Sequence, residues 1–290
     1  MAARIERNPA WQDRRVIVAG GTTGLGFVIA TGLARAGARL LIVGRSSESV
    51  RQALAALPGS DQPGRILGCA ADLCRAGEGG RVVGEALDRF GGVDDLFFCI
   101  GRSGRARILD TPAAAIEEAL AANLISAVEI TRAAAADIAA ARGHMVYIGS
   151  LAGKLVTPFM GPYCVAKSAL AAYVDAVRIE IAPRGAHVLL VSPGPIRRVT
   201  AGPALGPTTD RYADEVSGAG LPEDANLPGG GAGLSLLDPE RLTERIFEAC
   251  RQRTAELVLP RRAALLAGII QWCPNWGRRL LGRLTTRSPG

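Results

Sequence analysis

Three side chains of this 290-residue sequence have the types and the spacing of a proton-transfer site: Ser150, Tyr163 and Lys167. Tyr163 and Lys167 are four residues apart, so a helix would place both on one face. A phenol is a poor acid–base catalyst near neutral pH because its reference pKa is about 10, and a nearby ammonium lowers that pKa. Ser150 follows a predicted strand and could hydrogen-bond a substrate oxygen. The three residues predict acid–base chemistry at a carbonyl or alcohol.

A tyrosine and a lysine at this spacing are also common on helix surfaces, and lysine usage helps to separate the two interpretations. The chain has 34 basic residues, of which only Lys154 and Lys167 are lysines. Arginine therefore serves nearly everywhere that a cation suffices. A lysine at position 167 indicates that the compact ammonium itself is needed.

A glycine-rich turn, Gly20–Gly26, follows the first predicted strand with the pattern G-x-x-x-G-x-G. Glycines let the backbone turn sharply and approach a pyrophosphate at the positive end of the next helix. The second strand ends in Val43-Gly44-Arg45-Ser46, without the carboxylate that takes the ribose 2′-hydroxyl of NAD. Arg45 favours a 2′-phosphate instead, so the sequence predicts NADP(H) over NAD(H), with NAD(H) left open.

The elements that must position these residues alternate between short apolar runs and helical stretches. Strand–helix alternation is typical of an α/β protein with a doubly wound parallel sheet, a Rossmann fold with helices on both faces. We predict seven strands: Arg15–Ala19, Arg39–Val43, Arg65–Cys69, Asp95–Ile100, His144–Ile148, His187–Val191 and Glu256–Leu259. We predict helices over Leu25–Ala36, Gly79–Phe90, Pro112–Ala141, Tyr163–Ala182 and Asp238–Arg251.

Composition bounds the remaining possibilities. The net charge of +7 is concentrated in 261–290, which has six arginines and no acid, so the preceding 260 residues carry about +1. A general nucleic-acid surface is therefore poorly supported. The six cysteines lack metal-ligand spacing, and with only His144 and His187 present we predict no metal site. The polar N-terminus has no apolar signal segment, and we predict a cytoplasmic protein with reduced thiols.

The residues named so far, with several others in order, resemble the short-chain dehydrogenase/reductase superfamily from about Arg14 to Leu259. The further motifs are Asp72-Leu73 after the third strand, Gly101 after the fourth, Asn123 in a long helix and Pro193-Gly194 after the sixth. The resemblance implies an NAD(P)-dependent oxidoreductase that interconverts a ketone and a secondary alcohol.

The resemblance also implies a role for each matching residue. Tyr163 would be the general acid in reduction and the base in oxidation, and Lys167 would lower its pKa and bind the nicotinamide ribose. Ser150 would orient the carbonyl, and Asn123 would hold a water in a proton relay. Cofactor contacts are implied for Gly20, Thr22, Thr23, Gly24, Leu25, Gly26, Arg45, Ser46, Asp72, Leu73, Cys99, Gly101, Tyr163, Lys167, Pro193, Gly194 and Ile196.

The sequence departs from the family pattern at three places. Ala19 replaces the usual threonine before the glycine-rich turn, and Phe98-Cys99-Ile100-Gly101 replaces Asn-Asn-Ala-Gly. Pro195-Ile196-Arg197 lacks the threonine that often contacts the carboxamide. The departures concern cofactor binding, and the catalytic groups are all present.

The chain divides into a catalytic domain, 1–260, and a basic amphipathic C-terminal segment, 261–290. Within the domain, 200–237 is rich in Gly and Pro and predicts a substrate lid. The C-terminal segment spaces Leu265, Ile269, Trp272, Trp276 and Leu280 by three or four residues, and its apolar run is too short to cross a bilayer. It could lie on a membrane surface or pack against a partner subunit or the lid.

Several alternatives stay open after the sequence alone. A small-molecule carbonyl or alcohol substrate is expected, and the amphipathic tail makes a lipophilic one plausible. We expect a homodimer or homotetramer. The other function classes are an NADP-binding sensor or scaffold without turnover and a membrane-surface protein whose tail is its main function.

Overall fold

The computed structural model describes residues 10–197, 212–227 and 235–285. Its centre is a seven-stranded parallel sheet in the order β3-β2-β1-β4-β5-β6-β7. The strands are β1 Arg15–Ala19, β2 Arg39–Gly44, β3 Ile66–Ala70, β4 Asp95–Phe98, β5 His144–Ile148, β6 His187–Pro193 and β7 Glu256–Leu259. The predicted Rossmann fold and all seven strands are confirmed, with small shifts at the strand ends.

Helices connect the strands and cover both faces of the sheet. They are α1 Gly24–Arg35, α2 Ser47–Ala56, α3 Glu78–Phe90, α4 Ala113–Leu120, α5 Ser126–Ala140, α6 Gly161–Ile181, α7 Ala213–Gly218, α8 Pro239–Arg251, α9 Arg261–Trp272 and α10 Pro274–Thr285. Helix α2, which the sequence analysis did not predict, begins where the Ser46 side chain accepts a hydrogen bond from the Ser49 N–H.

Two apolar cores lie on opposite sides of the sheet because successive side chains of a strand point to opposite faces. In β1, Ile17 and Ala19 join the core under α3, α5 and α6, whereas Val16 and Val18 join the core under α1 and α8. A sheet that is buried on both faces has strands that are apolar throughout. The short aliphatic runs of the sequence therefore became central strands.

The strand order reverses its direction of winding between β1 and β4. Connections from β1 run outward to β2 and β3, and the connection after β3 returns to the other side of β1. In doubly wound sheets this switch point opens a crevice at the carboxyl ends of the strands, where ligands bind. The glycine-rich turn follows β1 and Cys99 follows β4, so both lie at this crevice.

The segment predicted as a helix over Pro112–Ala141 is helical from Ala113 to Ala140, but it is not a regular α-helix throughout. Helix α4 ends at Leu120, a π-helical turn spans Ala121–Ile125, and α5 continues from Ser126. The Asn123 side chain donates to the Ala119 carbonyl oxygen at 2.9 Å, which competes with the regular backbone ladder. π-turns within helices often mark functional sites.

The predicted lid, 200–237, is only partly within the described residues, and 200–211 and 228–234 lie outside them. Segment 212–227 buries more apolar side chains than the Gly- and Pro-rich composition of the predicted lid suggests. Tyr212, Val216, Leu221 and Ala225 form a small buried cluster that also contacts Phe159. Helix α7 and a 3₁₀ turn, Glu223–Asn226, carry this cluster.

The C-terminal segment is helical, as predicted, and forms a helical hairpin of α9 and α10 (261–285, the C-terminal hairpin). Helix α9 ends at Trp272 because the backbone of Cys273 is not helical, and α10 begins at Pro274. A Cβ on Gly277 would lie 2.6 Å from Ile270 Cα, so the two helices pack in close contact. No helix in the described ranges is long and apolar enough to cross a membrane.

Candidate active site

The turn between β1 and α1 makes a cradle of backbone. Gly20 and Gly24 have φ values of +81° and +56°, which favour glycine. A Cβ on Gly26 would lie 2.1 Å from the Gly20 carbonyl oxygen, whereas a Cβ on Gly24 would project into open space. Thr23 precedes α1 without capping it through its side chain, so the first-turn N–H groups can take a phosphate. These residues fit the pyrophosphate of a dinucleotide.

The end of β2 lies beside this turn. A Cβ on Gly44 would meet Thr22 Cγ2 at 2.5 Å, so close packing brings Thr22 against the strand end. Arg45 and Ser46 follow, are exposed, and line the same cavity as Thr22. A guanidinium and two hydroxyl groups at this place suit a 2′-phosphate better than a bare hydroxyl.

Lys167 lies buried below the crevice, on α6 one turn after Tyr163. Its Nζ donates to the Ile148 carbonyl oxygen at 3.0 Å and to the Ile100 carbonyl oxygen at 3.5 Å. It lies 5.8 Å from the centre of the Tyr163 ring. Burial lowers the pKa of Lys167 to about 8, and burial raises the pKa of the nearby Cys99 thiol to about 12. The ammonium therefore stays mostly charged at neutral pH.

Ser150 lies at the crevice just after β5 and caps the start of a 3₁₀ turn, Leu151–Gly153. Its Oγ accepts a hydrogen bond from the Ala152 N–H at 3.1 Å. This bond orients the hydroxyl, whose own hydrogen can then be donated to another acceptor. Ser150 and Tyr163 line the same cavity.

Asn123 is buried behind the cavity and braces the loop after β4. Its Oδ1 accepts from the Arg102 N–H at 3.2 Å, and its Nδ2 donates to the Arg102 carbonyl oxygen at 3.0 Å. A Cβ on Gly101 would lie 3.0 Å from Lys167 Nζ and 3.4 Å from Asn123 Oδ1. The absence of a side chain at Gly101 thus lets the amide and the ammonium approach the same point of the backbone.

The structure brings nearly all the predicted site residues to one cavity of about 1650 Å³. Asn123 and Lys167 are the two exceptions among them, and both lie directly behind Gly101. The lining set is Gly20, Thr22, Thr23, Gly24, Leu25, Gly26, Arg45, Ser46, Asp72, Leu73, Cys99, Gly101, Ser150, Tyr163, Pro193, Gly194 and Ile196. Pockets for one drug-sized ligand measure roughly 300–1,000 Å³, so this cavity has room for a second molecule beside a dinucleotide.

The cavity also has an apolar wall that the motifs did not predict. Leu151 and Leu155 follow Ser150 by one and five residues and pack against the C-terminal hairpin. The side chains that the hairpin contributes to the cavity lining are Arg262, Ala263, Leu265, Leu266, Ile269, Leu280 and Leu281. Except for Arg262 these side chains are apolar, which was visible in the sequence, but the direction of each one depended on the break between the two helices at Cys273.

A buried arginine ties segment 212–227 to the loop after β4. Arg105 Nε donates to the Ala225 carbonyl oxygen at 2.6 Å, and its guanidinium lies 3.9 Å from the centre of the Tyr212 ring. The Arg105 N–H donates to Glu215 at 2.6 Å, and Ser103 hydrogen-bonds the Tyr212 hydroxyl. These contacts hold 212–227 over the cavity, which both Arg105 and Tyr212 line.

At the opposite end of the sheet, His144 and His187 begin β5 and β6 as register partners. Their Nδ1 atoms lie 2.9 Å apart, and Nε2 of His187 donates to the Thr254 carbonyl oxygen at 2.8 Å. With the sulfur of Cys250, they form a group that could hold a metal ion among the described residues. The imidazoles are already hydrogen-bonded to each other, and the charge of Arg253 opposes a cation there. The prediction of no metal site stays a prediction.

Comparisons with known proteins agree with this geometry. Residues 14–204 match the family described as short chain dehydrogenase. Dehydrogenase/reductase SDR family member 7B of Danio rerio is 33% identical over 200 residues, 67% of this chain and 64% of that protein. Dehydrogenase/reductase SDR family member 4 of Bos taurus is 30% identical over 193 residues, 66% of this chain and 68% of that protein.

A solved structure gives the same result for the fold. The crystal structure of a short-chain dehydrogenase from Streptomyces avermitilis matches with a TM-score of 0.73 at 22% identity, over 94% of this chain and 99% of that one. At this identity the likeness concerns the fold alone. The stretch matched in the Danio rerio relative is under two thirds of that protein's length.

Proposed function

The chain belongs to the short-chain dehydrogenase family, and on that premise we propose that it is an NADP(H)-dependent oxidoreductase that interconverts a ketone and a secondary alcohol. One observation carries the proposal: Ser150 and Tyr163 line the same cavity as the glycine-rich turn, with the Lys167 ammonium buried behind them. Loss of any of these three groups would have favoured a sensor without turnover, and all three are present.

When bound, the cofactor supplies or accepts the hydride. The chain's own residues handle the proton and the orientation of the substrate. Ser150 donates its hydroxyl hydrogen to the substrate oxygen and so holds that oxygen beside the Tyr163 hydroxyl. Tyr163 gives up its proton to the oxygen in reduction and takes it back in oxidation.

Lys167 and Asn123 act from behind these groups. In this proposal the Lys167 ammonium stabilises the phenolate of Tyr163 by its charge and binds the nicotinamide ribose. Asn123 fixes the backbone at Arg102 through two hydrogen bonds of its side-chain amide. In that position it keeps Gly101 against Lys167 and supports a water-mediated proton relay.

We propose NADP(H) as the preferred cofactor because Arg45 and Ser46 line the cavity at the end of β2 and no carboxylate follows that strand. A charge-assisted hydrogen bond contributes roughly 1.5–3 kcal/mol, which is about 10- to 150-fold in affinity. Titration of the purified protein with NADPH and NADH tests this. Equal binding, or tighter binding of NADH, would refute the role of Arg45.

The catalytic proposal has its own test. Tyr163→Phe should abolish turnover on a panel of ketones while leaving NADPH binding nearly unchanged, because the phenol hydroxyl is removed and the ring is kept. Turnover by Tyr163→Phe within a few-fold of the wild type would favour another proton donor. Absence of turnover by the wild type across the panel would favour the sensor alternative.

We further propose that the substrate is lipophilic, since the wall beside Ser150 is built from leucine and isoleucine side chains of the C-terminal hairpin. A ketone with an apolar chain would remove these side chains from water on binding. A homodimer or homotetramer and a cytoplasmic location stay expectations, which light scattering and cell fractionation can test.

A further inference from the structure

The C-terminal hairpin has two faces with different environments. Its inner face is covered by the rest of the chain, where Ala263, Leu266 and Leu281 pack near Leu151 and Leu155. This contact seats the hairpin on the catalytic domain beside Ser150. The hairpin is therefore part of the folded protein and presents its outer face in a fixed direction.

The outer face carries large apolar side chains in contact with solvent. Trp272 is 88% exposed, Trp276 60% and Leu265 69%. Trp272 ends α9 and Trp276 lies in the first turn of α10, so the two indoles flank the tip of the hairpin. Leu265 lies seven residues before Trp272, on the same side of α9. Indole rings favour surfaces where one end is apolar and the other is wet.

The same helices carry positive charge and no compensating acid. Residues 261–285 contain five arginines and neither Asp nor Glu. Arg279 and Arg283 follow Trp276 by three and seven residues, which places them on the same side of α10. All five are exposed: Arg261, Arg262, Arg278, Arg279 and Arg283. The surface therefore combines exposed indoles with a purely cationic border.

Exposed indoles bordered by arginines help to decide whether a second copy of the chain or a membrane covers this surface. In an interface with a second copy, the same patch meets itself across a two-fold axis, which would bring arginines together without acids between them. An anionic lipid surface instead offers phosphates to the arginines and an interfacial layer to the indoles. No helix in the described part of the chain can cross a bilayer, so such a contact would lie in the plane of the surface.

We propose that the C-terminal hairpin docks on the surface of an anionic membrane, with Trp272, Trp276 and Leu265 entering the headgroup region. Leu265 is exposed and also lines the catalytic cavity, as do Ile269 and Leu280 of the same hairpin. Docking would therefore place an opening of the cavity against the lipid. This second point rests on the proposed function, because it makes the membrane the source of the lipophilic ketone.

Vesicle flotation of the full-length protein tests the docking. Vesicles of phosphatidylcholine alone are compared with vesicles in which about a third of the lipid is phosphatidylserine, at low and high salt. We expect flotation with the anionic vesicles, weakened by high salt because charges at the surface are screened. Equal flotation with both kinds of vesicle, or none with either, would overturn the proposal.

Two double variants locate the surface on the hairpin. Trp272→Ala with Trp276→Ala removes the indoles, and Arg279→Glu with Arg283→Glu reverses two charges. Each basic residue near an anionic surface contributes about fivefold in binding, so the charge reversal should weaken partition by at least about 25-fold. None of these four side chains lines the cavity, so NADPH binding and turnover of a short ketone should stay unchanged.

Matched controls make the same chemical changes elsewhere. Leu109 and Ile179 are 95% and 76% exposed outside the hairpin, and their alanine variants should float like the wild type. Arg35→Glu with Arg89→Glu changes the net charge equally on α1 and α3 and should reduce flotation much less than the hairpin reversal. If the controls weaken flotation as much as the hairpin variants do, general charge or hydrophobicity explains the binding and the proposal fails.

Light scattering and kinetics separate the remaining outcomes. If Trp272→Ala with Trp276→Ala converts an oligomer into monomers and the wild type does not float, the face is a subunit interface and docking is refuted. Flotation without any ketone turnover would leave docking intact and refute the oxidoreductase proposal. Turnover of a long-chain ketone in anionic vesicles should fall at least tenfold in Trp272→Ala with Trp276→Ala. Turnover of a short ketone should be retained in the same variant.

Discussion

Replacing Lys167 by methionine should make the protein more stable while it abolishes catalysis. Burial lowers the pKa of Lys167 from 10.5 to about 8, and each pKa unit corresponds to about 1.4 kcal/mol. The folded state near pH 7 thus carries a penalty of about 3 kcal/mol for holding the ammonium out of water. Methionine has a similar length and fills the same space without a charge.

Loss of the hydrogen bonds that the ammonium donates opposes this gain in stability. The Ile148 carbonyl oxygen loses a donor at 3.0 Å, and the Ile100 carbonyl oxygen loses a weaker one at 3.5 Å. Losses of this kind cost about 1 kcal/mol each. Desolvation outweighs them, and Lys167→Met should raise the free energy of unfolding near pH 7 by about 1–2 kcal/mol. Turnover should fall at least about 100-fold.

The pH dependence of the difference in free energy of unfolding between Lys167→Met and the wild type identifies the cause of that difference. Between pH about 8 and 10.5 the unfolded state keeps the Lys167 proton and the folded state has lost it, so this group makes the wild type more stable as pH rises. The advantage of Lys167→Met should therefore shrink across this window. Above it, where neither state of the wild type carries the proton, the lost hydrogen bonds should leave the variant no more stable than the wild type.

The only other lysine in the sequence provides a matched control. Lys154 Nζ forms an ion pair with Glu256 at 2.9 Å, and both side chains are partly exposed. Lys154→Met should cost 0 to about 1 kcal/mol. Urea denaturation followed by circular dichroism near pH 7, 8, 9 and 10 measures both variants. A Lys167→Met protein that is less stable than the wild type near pH 7 would refute the reasoning, as would a gain that persists unchanged at high pH.

Three further predictions concern other parts of the fold. Gly26→Ala should reduce NADPH affinity at least about 100-fold, because the new Cβ would lie 2.1 Å from the Gly20 carbonyl oxygen. Gly80→Ala, where a Cβ meets open space on α3, should bind NADPH normally in the same fluorescence titration. Asp95→Asn should lower the free energy of unfolding by about 1–3 kcal/mol in urea, because an amide NH₂ replaces a buried oxygen that accepts hydrogen bonds from Arg14 and the His144 N–H; no loss would contradict this. Burial lowers the pKa of His144 to about 3, so the unfolded state takes up the proton first and the free energy of unfolding should fall as pH drops from about 6.5 toward 3. Between pH 7 and 5, His144→Gln should lose up to about 2 kcal/mol less of this free energy than the wild type does. Equal losses in both proteins would exclude this histidine as the cause.

Features that depend on neighbours in sequence were predictable. The seven strands are short apolar runs, and the β1 run is followed by glycines whose backbone angles only a glycine adopts easily. The four-residue spacing of Tyr163 and Lys167 needed only a helix to bring them to one face. Their joint position at the crevice then followed from the parallel order of strands, because each motif came after a strand.

Features that depend on distant partners were not predictable. Asn123 braces the loop after β4 only because the fold brings the backbone of Arg102, 21 residues away, to its side chain. His144 and His187 meet only because β5 and β6 pair in that register. Trp272 and Leu280 share one periodic pattern in the sequence, yet the break at Cys273 leaves the first exposed and turns the second into the cavity.

The hairpin part of the cavity wall and the reactive groups come from separate stretches of the chain. Every residue assigned here to proton transfer or cofactor contact lies before Arg197, whereas the hairpin wall begins after Pro260. Evolution can therefore exchange or remodel the hairpin and change the accepted substrate, while the oxidoreductase chemistry is inherited intact. Pro260, just after the last strand, marks a natural crossover point for recombining the wall of one relative with the catalytic sheet of another.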